Sequence, residues 1–97
     1  MKQDANPTPD TRLERIRSRL EADLAPLECV LGDDSAQHKG HAGAASGGGH
    51  YTVRIVSSRF EGLRLVMRHR LVYDSLRDLM HTEIHALAIT ALTPSEA

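Results

Sequence analysis

Six histidines, His38, His41, His50, His69, His81 and His85, are the residues of this 97-residue chain best suited to chemistry. Imidazole is the commonest metal ligand among side chains and the one that titrates nearest neutrality, so their spacing limits what the chain can do. His38 and His41 lie within a Gly-, Ala- and Ser-rich stretch from Gly32 to Gly49, and His50 stands at its exit. That composition cannot bury a core, and a loop of this length in a small domain is either functional or disordered. Three imidazoles favour function. The spacing His-x-x-His is a weak zinc signal by itself, because structural zinc sites pair their ligands and Cys29 is the only cysteine. His69 falls among Leu65, Val72, Leu76, Leu79 and Met80, a stripe at about 100° per residue, and is expected to face inward as a neutral, hydrogen-bonded core residue. No nucleophile–base pair and no paired carboxylates converge, so an enzyme is not expected.

The remaining composition narrows the classes further. The formal charge is −1 and the pI about 6.6, which gives no general attraction to phosphate or anionic lipid. Phe60, Tyr51 and Tyr73 are the only aromatics, too few for a platform that stacks single-stranded bases. A lone cysteine excludes an intrachain disulfide, and the opening MKQDANPTPD lacks the apolar run of a signal peptide or membrane anchor. A cytoplasmic location with no membrane contact is the expectation.

The elements that position the histidines follow from periodicity. Residues 1–9 are expected to be a disordered tail, with a single domain over 10–97. A helix is predicted from Asp10 or Thr11, where Thr11 and Glu14 match a capping box, through Leu13, Ile16, Leu20 and Leu24 to a stop at Pro26. Leu27, Cys29 and Leu31 alternate as a short strand, with Cys29 packing as a small hydrophobe. The run from His50 to Ser57 is the strongest strand signal, with Tyr51, Val53 and Ile55 on one face. Phe60 should anchor the following turn on the core and Gly62 should permit it. One long helix is predicted from about Leu63 to Met80, and its outward side carries Leu63, Met67 and Leu71 beside Arg70, a candidate partner surface. Arg68 and Arg70 flank His69 and could meet phosphates, although charged flanks are usually a solvated face. After a short connection from His81 to Ile84, a last strand runs from His85 to about Leu92, with Leu87, Ile89 and Ala91 on one side.

Helix, strand, strand, helix, strand is the order of a two-layer α+β domain, with helices on one face of a three-stranded mixed sheet. The first two strands, joined by a loop, can pair antiparallel, whereas the second reaches the third through a helix, which suits a parallel right-handed crossover. Parallel strands start on one rim. His50 and His85 are therefore predicted to share an edge with the histidine-bearing loop, where two imidazoles suffice for half of a shared metal centre.

The run SSRFEG, then RHRLVY (Arg68–Tyr73), HALAI (His85–Ile89) and TPSE (Thr93–Glu96), resembles the BolA family over about residues 10–96. The resemblance implies a fold like the type II KH domain and partnership with a monothiol glutaredoxin. In that pairing a 2Fe-2S cluster is bridged between the proteins, glutathione completes the ligand set, and no cluster is bound stably by the BolA-like chain alone, which is a monomer or weak homodimer. The family's ligands map onto His85 at the head of the last strand and onto a loop position. Counting forward from the first strand selects His38, which is preferred; counting back from His50 selects His41, the alternative. Imidazole in place of thiolate implies a higher cluster potential and greater sensitivity to protonation. The family also includes DNA-binding regulators of stress and morphology genes. In this chain that role would rest on Arg54, Arg59, Arg64, Arg68 and Arg70, without a readable GXXG clamp.

Overall fold

Alternating apolar residues make three strands of this chain, and apolar residues three and four apart make the helices that cover one side of them. The computed structural model describes residues 12–34 and 49–97. Its elements are α1 (Arg12–Leu24), β1 (Glu28–Asp33), β2 (Gly49–Val56), a 3-10 turn (Ser58–Phe60), α2 (Leu65–Ser75), α3 (Arg77–Thr82), β3 (Ile84–Leu92) and a second 3-10 turn (Pro94–Glu96). The proposed tail over residues 1–9, Thr11 of the capping box, His38 and His41 lie outside the described residues.

The sheet order is β1-β2-β3, with β1 antiparallel and β3 parallel to the central β2. This is the mixed sheet that the connectivity demands. Tyr51, Val53 and Ile55 of β2 are buried with Ala91 of β3, and Cys29, Leu31, Leu87 and Ile89 pack beside them. Across from these lie Ile16, Leu20 and Leu24 of α1, Phe60, and Val72, Leu76 and Leu79. Each large side chain buried in this way contributes about 1.5–3 kcal/mol. Thr52, Ala86, Ala88 and Thr90 are exposed on the other face of the sheet.

Two turns need special backbone. Gly62 has φ +77°, where a side chain would strain the chain although there is space for one. Ala25 follows α1 at φ +44° and donates its N–H to Glu21 O at 3.2 Å, a left-handed cap ahead of Pro26 that costs an alanine roughly 1–2 kcal/mol.

The long second helix departs from the sequence expectation in two respects. It is divided at Leu76 (φ −106°, ψ 15°), beside Ser75, whose hydroxyl donates to Arg19 O of α1 at 3.1 Å. The last turn, α3, includes His81 and Thr82, where the sequence predicts a connection. Val72, Leu76 and Leu79 of the predicted stripe are buried and Met80 packs beside them, but the first turn differs: Leu65 is 62% exposed, whereas Arg68 is 8% exposed and lies with Val72 and Ser75 on the buried side.

Arg68 is held on the buried side by a set of bonds. Its Nε donates to Leu63 O at 2.9 Å, its Nη1 to Ala91 O at 3.1 Å, and its two Nη groups to the Glu96 carboxylate at 2.6 and 3.3 Å. A guanidinium satisfied on every side can be buried, and its fork matches a carboxylate. Glu96 is held in turn by the Thr93 N–H at 2.8 Å, and Thr93 and Glu96 form a complete capping box. The Arg68 and Thr93 hydrogen bonds hold the Glu96 carboxyl at about 2, below its ordinary 4.5.

Candidate metal centre at the strand-start rim

Where β2 and β3 begin, the ring centroids of His50 and His85 are 5.0 Å apart with their planes inclined at 44°. The parallel crossover supplies the neighbourhood, but simple alternation would point His85 inward with Leu87, Ile89 and Ala91. An irregularity in the pairing prevents this. Gly49 is opposite Ile84 and His50 is opposite Ala86, so His85 is the additional residue of a bulge. Ile84 is buried while His85 and Ala86 are both exposed. Bulges re-aim side chains next to functional sites, and this one turns the imidazole of His85 out of the core and toward His50.

The rim is fixed by backbone contacts. Glu83 O, at the head of β3, accepts from Gly49 N at 3.0 Å and from Arg12 Nη1 at 3.2 Å, and the Glu83 carboxylate pairs with Arg15 and Arg12. Asp34 N donates to His50 O at 2.7 Å, which closes the end of β1 onto the start of β2. Gly49 has to be glycine, because a Cβ there would run into the Tyr51 ring. Nε2 of His50 is enclosed, and this histidine also lines a cleft of about 290 Å³ with Asp34, Tyr51, Thr52, Ala86, Leu87 and Ala88. The loop carrying His38 and His41 leaves the described structure at Asp34 and re-enters at Gly49, both on this rim. Among the described residues no three His, Cys, Asp or Glu side chains gather into one cage. The donors present are imidazoles, which suit borderline transition metals and one edge of an iron–sulfur centre.

The other sequence candidates are dispersed. Cys29 is half-buried against the core, and burial pushes its thiol up, against the pull of the Arg17 guanidinium, which opposes a reactive or ligating role. His69 is not in the core: with Leu65, Val66, Arg70, Tyr73 and Asp74 it lines an open hollow of about 570 Å³ on the outer side of α2. Of the proposed partner residues, Met67 and Arg70 are exposed, whereas Leu71 packs against the core and Leu63 is partly buried. The exposed apolar group here is Leu65, Val66, Met67 and Tyr73. Of the arginines, Arg59, Arg64 and Arg70 are exposed and Arg54 pairs with Glu28 across β1 and β2. Arg68 is withdrawn into its bonds with Glu96, Leu63 and Ala91, so it presents no cation to a phosphate. Thr-x-x-Glu at Thr93–Glu96 was the available signal for that arrangement.

No helix among the described residues is long and apolar enough to cross a membrane. The family model for BolA-like protein matches residues 20–96. Protein BOLA1, chloroplastic, of Arabidopsis thaliana is 47% identical over 91 residues, covering 91% of this chain and 57% of that protein. The DNA-binding transcriptional regulator BolA of Escherichia coli (strain K12) is 39% identical over 83 residues, covering 86% of this chain and 76% of that one. The solved BolA domain of SufE1 from Arabidopsis thaliana superposes with a TM-score of 0.80 at 44% identity, over 93% of this chain and 100% of the domain. The chain spans little more than half the length of the Arabidopsis BOLA1 protein. With the α-β-β-α-α-β order, the mixed sheet and the histidine-headed last strand described above, these matches place the chain in the BolA family.

Proposed function

We propose that this chain is a non-enzymatic adaptor that partners a monothiol glutaredoxin and contributes imidazole ligands to a 2Fe-2S cluster shared between them, with glutathione completing the set. The observation that carries this reading is the exposed His85, turned outward by a bulge onto the same rim as the His38 and His41 loop ends. His85 serves as one ligand and His38 as the other, with His41 as its alternative. Met67 and Arg70, on the exposed side of α2, offer apolar contact and charge to the partner. A cluster held there would supply one-electron redox chemistry, and its visible absorption reports its occupancy. The chain's part is to present neutral imidazoles from a rigid strand head, so acid that protonates them should release the cluster. The process served would be iron or redox homeostasis in the cytoplasm.

The test is reconstitution with a cluster-loaded monothiol glutaredoxin, followed by visible circular dichroism. His85→Ala should abolish the heterocomplex's visible bands while leaving association of the cluster-free proteins within about twofold. Unchanged bands would refute the assignment. His38→Ala should perturb the spectrum more than His41→Ala, and the reverse order would move the second ligand to His41.

A second reading has one specific support, the name of the Escherichia coli relative as a DNA-binding transcriptional regulator. In this chain it would use Arg59, Arg64 and Arg70, which are exposed, with Arg54 tied to Glu28. Salt separates the two readings. Phosphate contacts weaken steeply as ionic strength rises, whereas cluster ligation does not depend on released counterions.

A further inference from the structure

We propose that His50 and His85 together form a two-imidazole site for a single divalent transition-metal ion of the Zn2+ class, bound by this chain without any partner. The argument is geometric. A zinc ion is about 2.0–2.1 Å from each ligating nitrogen, which puts the centre of each imidazole roughly 3.2 Å from the metal. Two such rings at a tetrahedral angle have centroids about 5.2 Å apart. The observed separation is 5.0 Å, with the planes inclined rather than stacked.

Three further features favour an ion at this place. The bulge between Gly49 and His50 has no packing use for His85, since it leaves that side chain exposed and its effect is to bring the ring to His50. Ala86 and Ala88 are the small residues next along β3, and with His50 they line a cleft of about 290 Å³, so no bulky side chain of β3 crowds the His50 side of the pair. Both ligands are on strands, and the bonds from the Gly49 N–H and the Arg12 guanidinium to Glu83 O fix the spacing between strand heads before any metal arrives. Preorganised donors on rigid elements bind more tightly than the same donors on loops. No third His, Cys, Asp or Glu among the described residues joins the pair, so the site has the open positions of an exchangeable ion rather than a closed structural one.

The site differs from the shared cluster in its second ligand, His50 in place of a loop histidine, and in needing no glutaredoxin. One consequence does rest on the function proposed above. Because His85 belongs to both sites, a chain loaded with Zn2+ cannot offer that imidazole to a cluster, and the ion would compete with cluster sharing.

Calorimetric titration of the metal-free full chain with Zn2+ at about pH 7.5, where imidazole is neutral, tests the ion site with neither iron nor glutaredoxin present. One ion per chain is expected. His50→Ala and His85→Ala should each weaken binding by about tenfold or more, while His81→Ala and the double variant His38→Ala/His41→Ala stay within about twofold. His50→Asn, which keeps a polar side chain at the strand head, replaces His50→Ala if far-ultraviolet circular dichroism shows the alanine variant unfolded. Zn2+ binding that survives either single substitution would reduce the pair to an ordinary ring contact and overturn the proposal. Loss of binding in the loop double variant would overturn it as well, by moving the site to the loop. Failure of cluster sharing alone would leave the titration unchanged, so the two proposals fail separately.

Discussion

Where β2 and β3 finish, Glu96 bonds to Arg68 and to Thr93, and Arg68 and Ser57 donate to backbone carbonyls; where the same strands start, His50 and His85 face each other across a bulge. At the finishing end, Ser57 N donates to Leu92 O at 3.0 Å and its hydroxyl to Leu24 O at 2.6 Å, while Ser57 Oγ accepts from Arg59 N at 3.1 Å. Polar groups are buried here because each has a partner, and removing one would leave the others desolvated and unsatisfied. At the starting end, His85 is exposed and no core packing depends on it. The stabilising polar bonds and the proposed ligands therefore lie at opposite ends of one sheet, and substitutions at the two ends should fail in different assays.

The sharpest break in this division is Arg68→Ala. It orphans Ala91 O and Leu63 O and strands the Glu96 carboxylate, and it should destabilise the fold by about 2–4 kcal/mol in urea unfolding. His85→Ala should change the same measurement by less than about 0.5 kcal/mol while removing the cluster spectrum. Equal losses from the two substitutions would erase the distinction between the ends. Ser57→Ala is the intermediate case. It withdraws a donor from the buried Leu24 O and the acceptor that caps the Ser58–Phe60 turn, which should cost about 1–2 kcal/mol in the same assay and leave the rim unaffected.

The two ends also differ in how much of them the sequence reveals. Period-two alternation locates the strands, and a helix between β2 and β3 makes them parallel, so the nearness of His50 and His85 follows from local pattern and connectivity. The bulge that aims His85 is not visible in that pattern, since it exists only in the pairing with β2. At the other end, the signal in local pattern misleads. An arginine between Met67 and His69 is assigned to solvent, and His69 and Leu65 to the core, because the burial of Arg68 depends on Glu96, 28 positions away. Periodicity places Val72, Leu76 and Leu79 correctly, but the burial of Arg68 in the first turn involves a long-range ion pair, to which periodicity has no access. The division of the helix at Leu76 was equally hidden, with no proline or glycine to mark it.

Glu96→Gln removes only one partner of Arg68 and should cost less than Arg68→Ala at neutral pH, with the most specific signature. The Glu96 carboxyl is depressed from 4.5 to about 2 by its hydrogen bonds with Arg68 and Thr93, so the folded state favours the ionised form. A depressed carboxyl stabilises the fold fully above its unfolded value and ceases to do so as pH falls through the folded one. Wild type should thus lose this contribution between about pH 4.5 and about pH 2, whereas the glutamine variant, which has no carboxylate to protonate, lacks it throughout. The difference between their urea midpoints should be constant at neutral pH, narrow below about pH 4.5 and disappear only once the pH is below about 2. His85→Ala should follow the wild-type acid limb, because its ring is at the far end of the sheet from the carboxylate. A gap between wild type and Glu96→Gln that persists unchanged to low pH would mean that the carboxylate, although bonded to Arg68, does not couple its charge to folding.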